Sequence, residues 1–155
     1  MPDTFCCVLI HCVFSTKDRI RCIDDELQPK LWAYLGGIAR TNGFKALCVG
    51  GADNHVHVLL SLPATIPIAK AVQLLKGGSS KWIHDHHRRN FAWQHGYSAF
   101  SIGVSQESAT ARYISSQREH HQRRDFREEF EAFLKKHGIG VGRLSRPSGT
   151  PAVDA

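Results

Sequence analysis

The chain reads as one α+β domain of ferredoxin-like (RRM-like) order, an antiparallel sheet with two helices on one face and additional C-terminal helices after it. Three observations predict this. Along the 155 residues, apolar positions run first without a helical period, then at three- and four-residue spacing, then in alternation, which gives strand, helix, strand, strand, helix, strand. Gly, Asn, Asp and Pro fall between these segments, where a chain has to turn. Hydrophobic residues make up 42% and charged residues 22%, a balance that supports one core and excludes a disordered or fibrous chain.

Each element has its own signal. Phe5 to Phe14 is rich in Val, Ile, Leu, Phe and Cys and is expected to be a buried central strand ending at the polar turn Ser15-Thr16-Lys17-Asp18-Arg19. Asp24 or Asp25 can cap a helix with Leu27, Leu31, Trp32, Leu35 and Ile38 on one face, stopping near Asn42-Gly43. Phe44 to Gly50 and His55 to Leu62 form a hairpin around Gly50-Gly51-Ala52-Asp53-Asn54. Pro63 and Pro67 lead into a second helix carrying Ile68, Val72, Leu75, Trp82 and Ile83, where Gly77-Gly78 is expected to allow a bend. Phe91 to Ile102 supplies a broken fourth strand. Ser105 is the expected cap of a third helix from about Gln106 to His121, followed by an amphipathic helix with Phe126, Phe130, Phe133 and Leu134. Residues 1–139 therefore read as one domain, and the Gly, Ser, Pro and Arg-rich residues 140–155 as a disordered tail.

Composition narrows the function classes. A formal charge of +6 favours an anionic partner, although it also serves solubility. The five cysteines, Cys6, Cys7, Cys12, Cys22 and Cys48, are odd in number and lack a CxxC spacing, so they read as buried thiols and not as a disulfide or zinc framework. The N-terminal segment has no basic region with a small-residue cleavage site, and no apolar run approaches the about 18 residues of a membrane span. A cytoplasmic location and no membrane partner are expected.

Ten histidines offer neutral-pH ligands and proton carriers, and their position has to select among them. In NHVHVLLSL, alternation puts His55, His57, Leu59 and Ser61 on one side of a strand and Val56, Val58, Leu60 and Leu62 on the other. At about 3.3 Å rise per residue the two histidines start roughly 6.6 Å apart, a gap two imidazole arms can close on one ion. The same alternation would also serve a half-exposed polar face. In ESATARYISSQREHH a helical period places Ala109, Tyr113, Gln117 and His120 on one stripe, with His121 at its edge. A phenol, an amide and an imidazole there call for polar partners, although a lone Tyr often only packs its ring. His84-Asp85-His86-His87 is a rival cluster with zinc-ligand chemistry at a helix end.

HCVFSTKDRI, NHVHVLLSLP, LKGGSSKWI, FAWQHGYSAFSI and ARYISSQREHH followed by FREEFEAFLKKHGI, in that order, resemble the single-tyrosine HUH transposases of the smallest bacterial insertion sequences, and most closely the REP-associated tyrosine transposases. The resemblance implies His55 and His57 as the metal-ligand pair, Tyr113 as nucleophile and Gln117 as the third metal contact. It implies Mg2+ or Mn2+, although imidazole ligands by themselves suit zinc well. The implied reaction is cleavage and rejoining of single-stranded DNA through a 5′-phosphotyrosine, at hairpin or palindromic sequences, by a homodimer. His120 and His121 are candidate helpers in ionising the phenol. Candidate DNA contacts are Lys17, Arg19, Lys76, Lys81, Arg88, Arg89, Arg112, Arg118, Arg123 and Arg124, with Trp93 and Tyr97 as stacking faces. The alternatives left open are a non-catalytic domesticated binder of single-stranded or hairpin nucleic acid, and a metal-binding structural or sensing protein.

Overall fold

The computed structural model describes residues 3–117 together with Glu128, Glu131, Ala132, Lys135 and Lys136. The chain divides into two compact units, Met1–Arg118 and Glu119–Ala155, and the fold described below is that of the first. The expected fourth amphipathic helix with Phe126, Phe130, Phe133 and Leu134, the boundary at 139/140, and the candidates Arg118, His120, His121, Arg123 and Arg124 lie outside the described residues.

Strands β1 (Val8–Ser15), β2 (Lys45–Gly51), β3 (His55–Leu62) and β4 (Ser98–Ile102) form one antiparallel sheet in the order β2-β3-β1-β4. The order of strands and helices is the expected one. β1 begins three residues later than Phe5, because its first residue Val8 pairs with Leu62, the last of β3, and Pro63 beyond it has no N–H to continue the ladder. Phe5, Cys6 and Cys7 are consequently exposed and Cys48 is half-buried, so only Cys12 and Cys22 of the five thiols are buried as expected.

Helix α1 (Leu27–Thr41) starts where Asp24 Oδ1 accepts the Leu27 N–H at 2.8 Å, and ends before Gly43, which takes a φ of +82°. Helix α2 (Ile68–His86) runs unbroken through Gly77-Gly78. The glycine has a packing use there. A Cβ at Gly78 would stand 2.9 Å from Ile38 Cδ1, so the missing side chain lets α1 and α2 approach.

The core joins Ile10, Cys12 and Phe14 of β1, Val56, Val58, Leu60 and Leu62 of β3, Leu27, Leu31 and Leu35 of α1, and Val72, Leu75 and Ile83 of α2. All are alternate positions or helical stripes, so periodicity decides which sheet face carries the two helices. Each fully buried Leu, Val or Ile contributes roughly 1.5–3 kcal/mol, which fixes the register of the strands that carry them.

The fourth strand is shorter than Phe91 to Ile102. Between Phe91 and Tyr97 the chain meets the sheet at the isolated Thr16–Trp93 bridge and is held by Lys76, whose Nζ donates to the carbonyls of Gln94 (2.6 Å) and Gly96 (2.8 Å). Helix α3 (Glu107–Ser115) follows a 3-10 turn over Val104–Gln106. Ser105 lies inside that turn and does not cap the helix; the Gln106 side chain instead accepts the Gly103 N–H at 3.0 Å. Among the described residues no helix is long and apolar enough to cross a membrane.

Candidate active site

The odd positions of β1 and β3 face away from α1 and α2. His55, His57 and His11 stand there, exposed by 0%, 3% and 1%, so the pair lines no half-exposed face. Helix α3 covers this side. Gly50 of β2, which pairs with His57, makes the seat: a Cβ there would lie 2.3 Å from the Ile114 carbonyl oxygen. The Cys48 thiol adds a contact to the Ala111 carbonyl at 3.6 Å and to Ser115 Oγ at 3.5 Å.

This seating puts Tyr113 and Gln117 over the histidines. The half-buried Tyr113 ring lies edge-on to His57, centroids 5.6 Å apart at 85°, and to His11 at 6.1 Å and 74°. Gln117 is 1% exposed; its amide nitrogen donates to the Tyr113 carbonyl at 3.3 Å, which turns Oε1 toward His55 Nε2 at 3.2 Å. One chain therefore brings together Tyr113, His55, His57 and Gln117.

Proton positions follow from the partners. Asn54 Oδ1 lies 2.8 Å from His55 Nδ1 and can only accept, so Nδ1 carries the hydrogen, and in the neutral ring Nε2 presents a lone pair. That lone pair faces the Gln117 oxygen, a second acceptor. With the ring neutral these are two acceptors 3.2 Å apart, an arrangement that suits a cation both can touch, whereas a protonated ring donates to the Gln117 oxygen directly. Among the described residues no three His, Cys, Asp or Glu side chains form a metal-binding group.

The rival cluster disperses. His84 Nε2 is bonded to the Phe91 carbonyl, His86 Nδ1 to the Trp82 carbonyl at 3.0 Å, and His87 packs edge-on against Trp82 at 4.8 Å. The basic candidates separate by environment. Lys17, Lys81, Arg88, Arg89 and Arg112 are exposed, Arg19 is half-buried, and Lys76 is spent on the carbonyls of Gln94 and Gly96. Burial raises the pKa of the Cys22 thiol, and the Arg88 guanidinium offsets part of that rise. Trp93 is a core aromatic, its indole N–H donating to Ser79 Oγ at 3.0 Å, whereas Tyr97 is 42% exposed.

The turn bearing Lys17 and Arg19 is tied to the site. Thr16 N–H donates to the Asn54 carbonyl at 3.0 Å, one residue before His55, and Asp18 N–H donates to Gln94 Oε1 at 3.0 Å. Asp18 and Arg19 both take positive φ, 56° and 55°, an uncommon state for side-chain-bearing residues that costs energy and fixes where the two cations emerge. His11 and Asn54 belong to the site without being singled out by the sequence. His11 is hidden in an apolar run, and Asn54 reads as turn chemistry.

Residues 5–117 match the family described as Transposase IS200 like. No curated protein is significantly similar to the chain. A solved structure from Deinococcus radiodurans R1, described as a transposase, superposes with a TM-score of 0.63 at 22% identity, covering 76% of this chain and 95% of that one. A structure of a REP-associated tyrosine transposase bound to a REP hairpin superposes with a TM-score of 0.51 at 15% identity, covering 100% of this chain and 95% of that one. At these identities the likeness is one of fold.

Proposed function

We propose, from the premise that this chain belongs to the IS200-like transposase family, that it cuts and rejoins single-stranded DNA with Tyr113 as nucleophile and His55, His57 and Gln117 as the cation-binding set. One observation carries the reading: in a single chain the phenol ring is 5.6 Å from His57, and one helical turn on, the Gln117 oxygen faces His55 Nε2 at 3.2 Å. This supports an active site completed in cis.

A divalent cation held by these three side chains, Mg2+ or Mn2+, would act as a Lewis acid on the scissile phosphate. The protein residues do the rest. Tyr113 Oη forms a bond to phosphorus as the bond to the 3′ oxygen breaks, giving a 5′-phosphotyrosine and a free 3′-hydroxyl. The phenol gives up its proton and the departing oxygen takes one. Attack by another 3′-hydroxyl reverses the exchange and releases Tyr113, so phosphodiester energy is retained and no nucleotide triphosphate is consumed.

The REP-hairpin complex of the structural relative supports a hairpin or palindromic single strand as substrate. Lys17, Lys81, Arg88, Arg89 and Arg112 are the exposed cations suited to its phosphates. One tyrosine holds one DNA end, and excision needs two, so a homodimer working in the cytoplasm is the assembly this reading requires.

The test is a covalent adduct. The protein is incubated with Mg2+ or Mn2+ and a labelled single strand containing its own genomic flanking hairpin, then run on a denaturing gel. A shifted band that disappears in Tyr113→Phe is expected. Persistence of the band in that variant would move the nucleophile elsewhere. No band with any flanking hairpin, together with hairpin binding, would favour a non-catalytic binder.

A further inference from the structure

A ring nitrogen binds a cation through its lone pair, so each ligand imidazole must carry its hydrogen on the other nitrogen. For His55 that condition is met by Asn54. For His57 the partner is His11, whose Nε2 lies 2.8 Å from His57 Nδ1 in a buried contact spanning 46 residues of sequence. The sheet register creates it: Val13 pairs with His57 and His11 with Leu59, so the two imidazoles are diagonal neighbours on the α3 side of adjacent central strands.

Two neutral arrangements of this contact exist, and they have opposite consequences. When His57 Nδ1–H donates to His11, His57 Nε2 keeps its lone pair. When His11 Nε2–H donates, the hydrogen of His57 sits on Nε2, which then cannot ligate. We propose that His11 is a positioning residue that accepts the His57 Nδ1–H, holding His57 in the tautomer and ring orientation in which Nε2 can bind a divalent cation. This rests on the reading of His57 as a ligand. Asn54 does the same for His55, and both act from outside the ligand set. The His11 ring also lies edge-on to Tyr113 at 6.1 Å, so one side chain braces the imidazole and the phenol against each other.

The test reads cation binding in the full chain, independently of cleavage. Mn2+ is titrated calorimetrically, and the bound ion is examined by electron spin-echo modulation, which counts directly bound imidazole nitrogens. The parent should show two and His57→Ala one. His11→Leu, which fills the space without an acceptor, should weaken Mn2+ binding about 10–100-fold and reduce the count to one. His11→Gln removes the same ring but retains an acceptor, and should recover most of the affinity. Parental affinity and two nitrogens in His11→Leu would overturn this inference and leave the ligand assignment standing. Equal losses in His11→Leu and His11→Gln would also overturn it, because a packing role does not distinguish the two. A parent that binds Mn2+ no better than His57→Ala would overturn the ligand assignment, and this inference with it.

Discussion

Cys12 lies in β1 with its side chain fully buried, and the cost of placing a thiolate there pushes its pKa up to about 12 from an ordinary 9.0. The folded state thus keeps a proton that the unfolded state releases above pH 9. Stability from this group is complete below pH 9 and is lost as pH rises toward 12, by roughly 4 kcal/mol across the interval. Cys22 is also raised by burial and acts in the same direction. Lys76 runs the other way, since burial lowers its pKa and the folded state sheds its proton early, so stability gained from that group rises with pH until the unfolded lysine titrates. The Cys12 effect is isolated by comparing urea unfolding of the parent and Cys12→Ala between pH 8 and 11. The variant should be less stable at pH 8, because a buried side chain is truncated, yet show a flatter decline above pH 9. Parallel curves would mean that Cys12 does not drive the alkaline loss. At this scale the sequence reveals types and not partners: His55 and His57 are visible through alternation, whereas the bond of His11 to a ring 46 residues away cannot be read from one strand.

Elements show where periodic signals suffice and where they fail. β3 is legible to the residue, because period-two alternation between two turns leaves one register, and α1 is bounded by Asp24 at one end and Asn42-Gly43 at the other. β1 and β4 are overestimated at their starts for a non-local reason. Phe5 to Cys7 have strand-forming residues but no partner strand, and the Phe91 to Tyr97 segment is diverted by Lys76 and the Thr16–Trp93 bridge. The seating of α3 is equally hidden, since Gly50 has the signature of a turn residue and acts as a contact surface. Gly50→Ala tests it. An alanine Cβ 2.3 Å from the Ile114 carbonyl has to push α3 outward by on the order of 1 Å, carrying Tyr113 with it. Such a displacement of a reacting group can cost about 100-fold in rate, so adduct formation should fall by about that factor. Mn2+ affinity should also fall, because Gln117 moves with Tyr113, but two ligands, His55 and His57, remain on the sheet, so binding should weaken and not vanish. An adduct formed at the parental rate would show that Tyr113 is not positioned through this glycine.

For the whole molecule, the sheet divides labour between its faces: α1 and α2 bury the core on one, and the other is left for three imidazoles beneath α3. Composition suggests an anionic partner through the +6 charge, but does not tell which cations are available, since exposure is a tertiary property. Lys76 illustrates the difference, being a cation by sequence and a tie between α2 and the Gln94–Gly96 carbonyls by structure. The difference has a thermodynamic signature in salt. Each phosphate neutralised on a single strand releases counterions, giving a slope of about −0.7 in log affinity against log salt concentration. Removing an exposed cation that contacts the strand should flatten that slope by about 0.7, whereas removing Lys76 should lower the melting temperature and leave the slope unchanged. Fluorescence anisotropy with a labelled hairpin strand, from about 50 to 200 mM salt, separates the two for Lys17→Ala, Lys81→Ala, Arg89→Ala, Arg112→Ala and Lys76→Met. A slope untouched by all four exposed substitutions would put the strand on another surface. A flatter slope in Lys76→Met would mean that its ammonium leaves the two carbonyls for phosphate when DNA binds, making the loop it ties part of the interface.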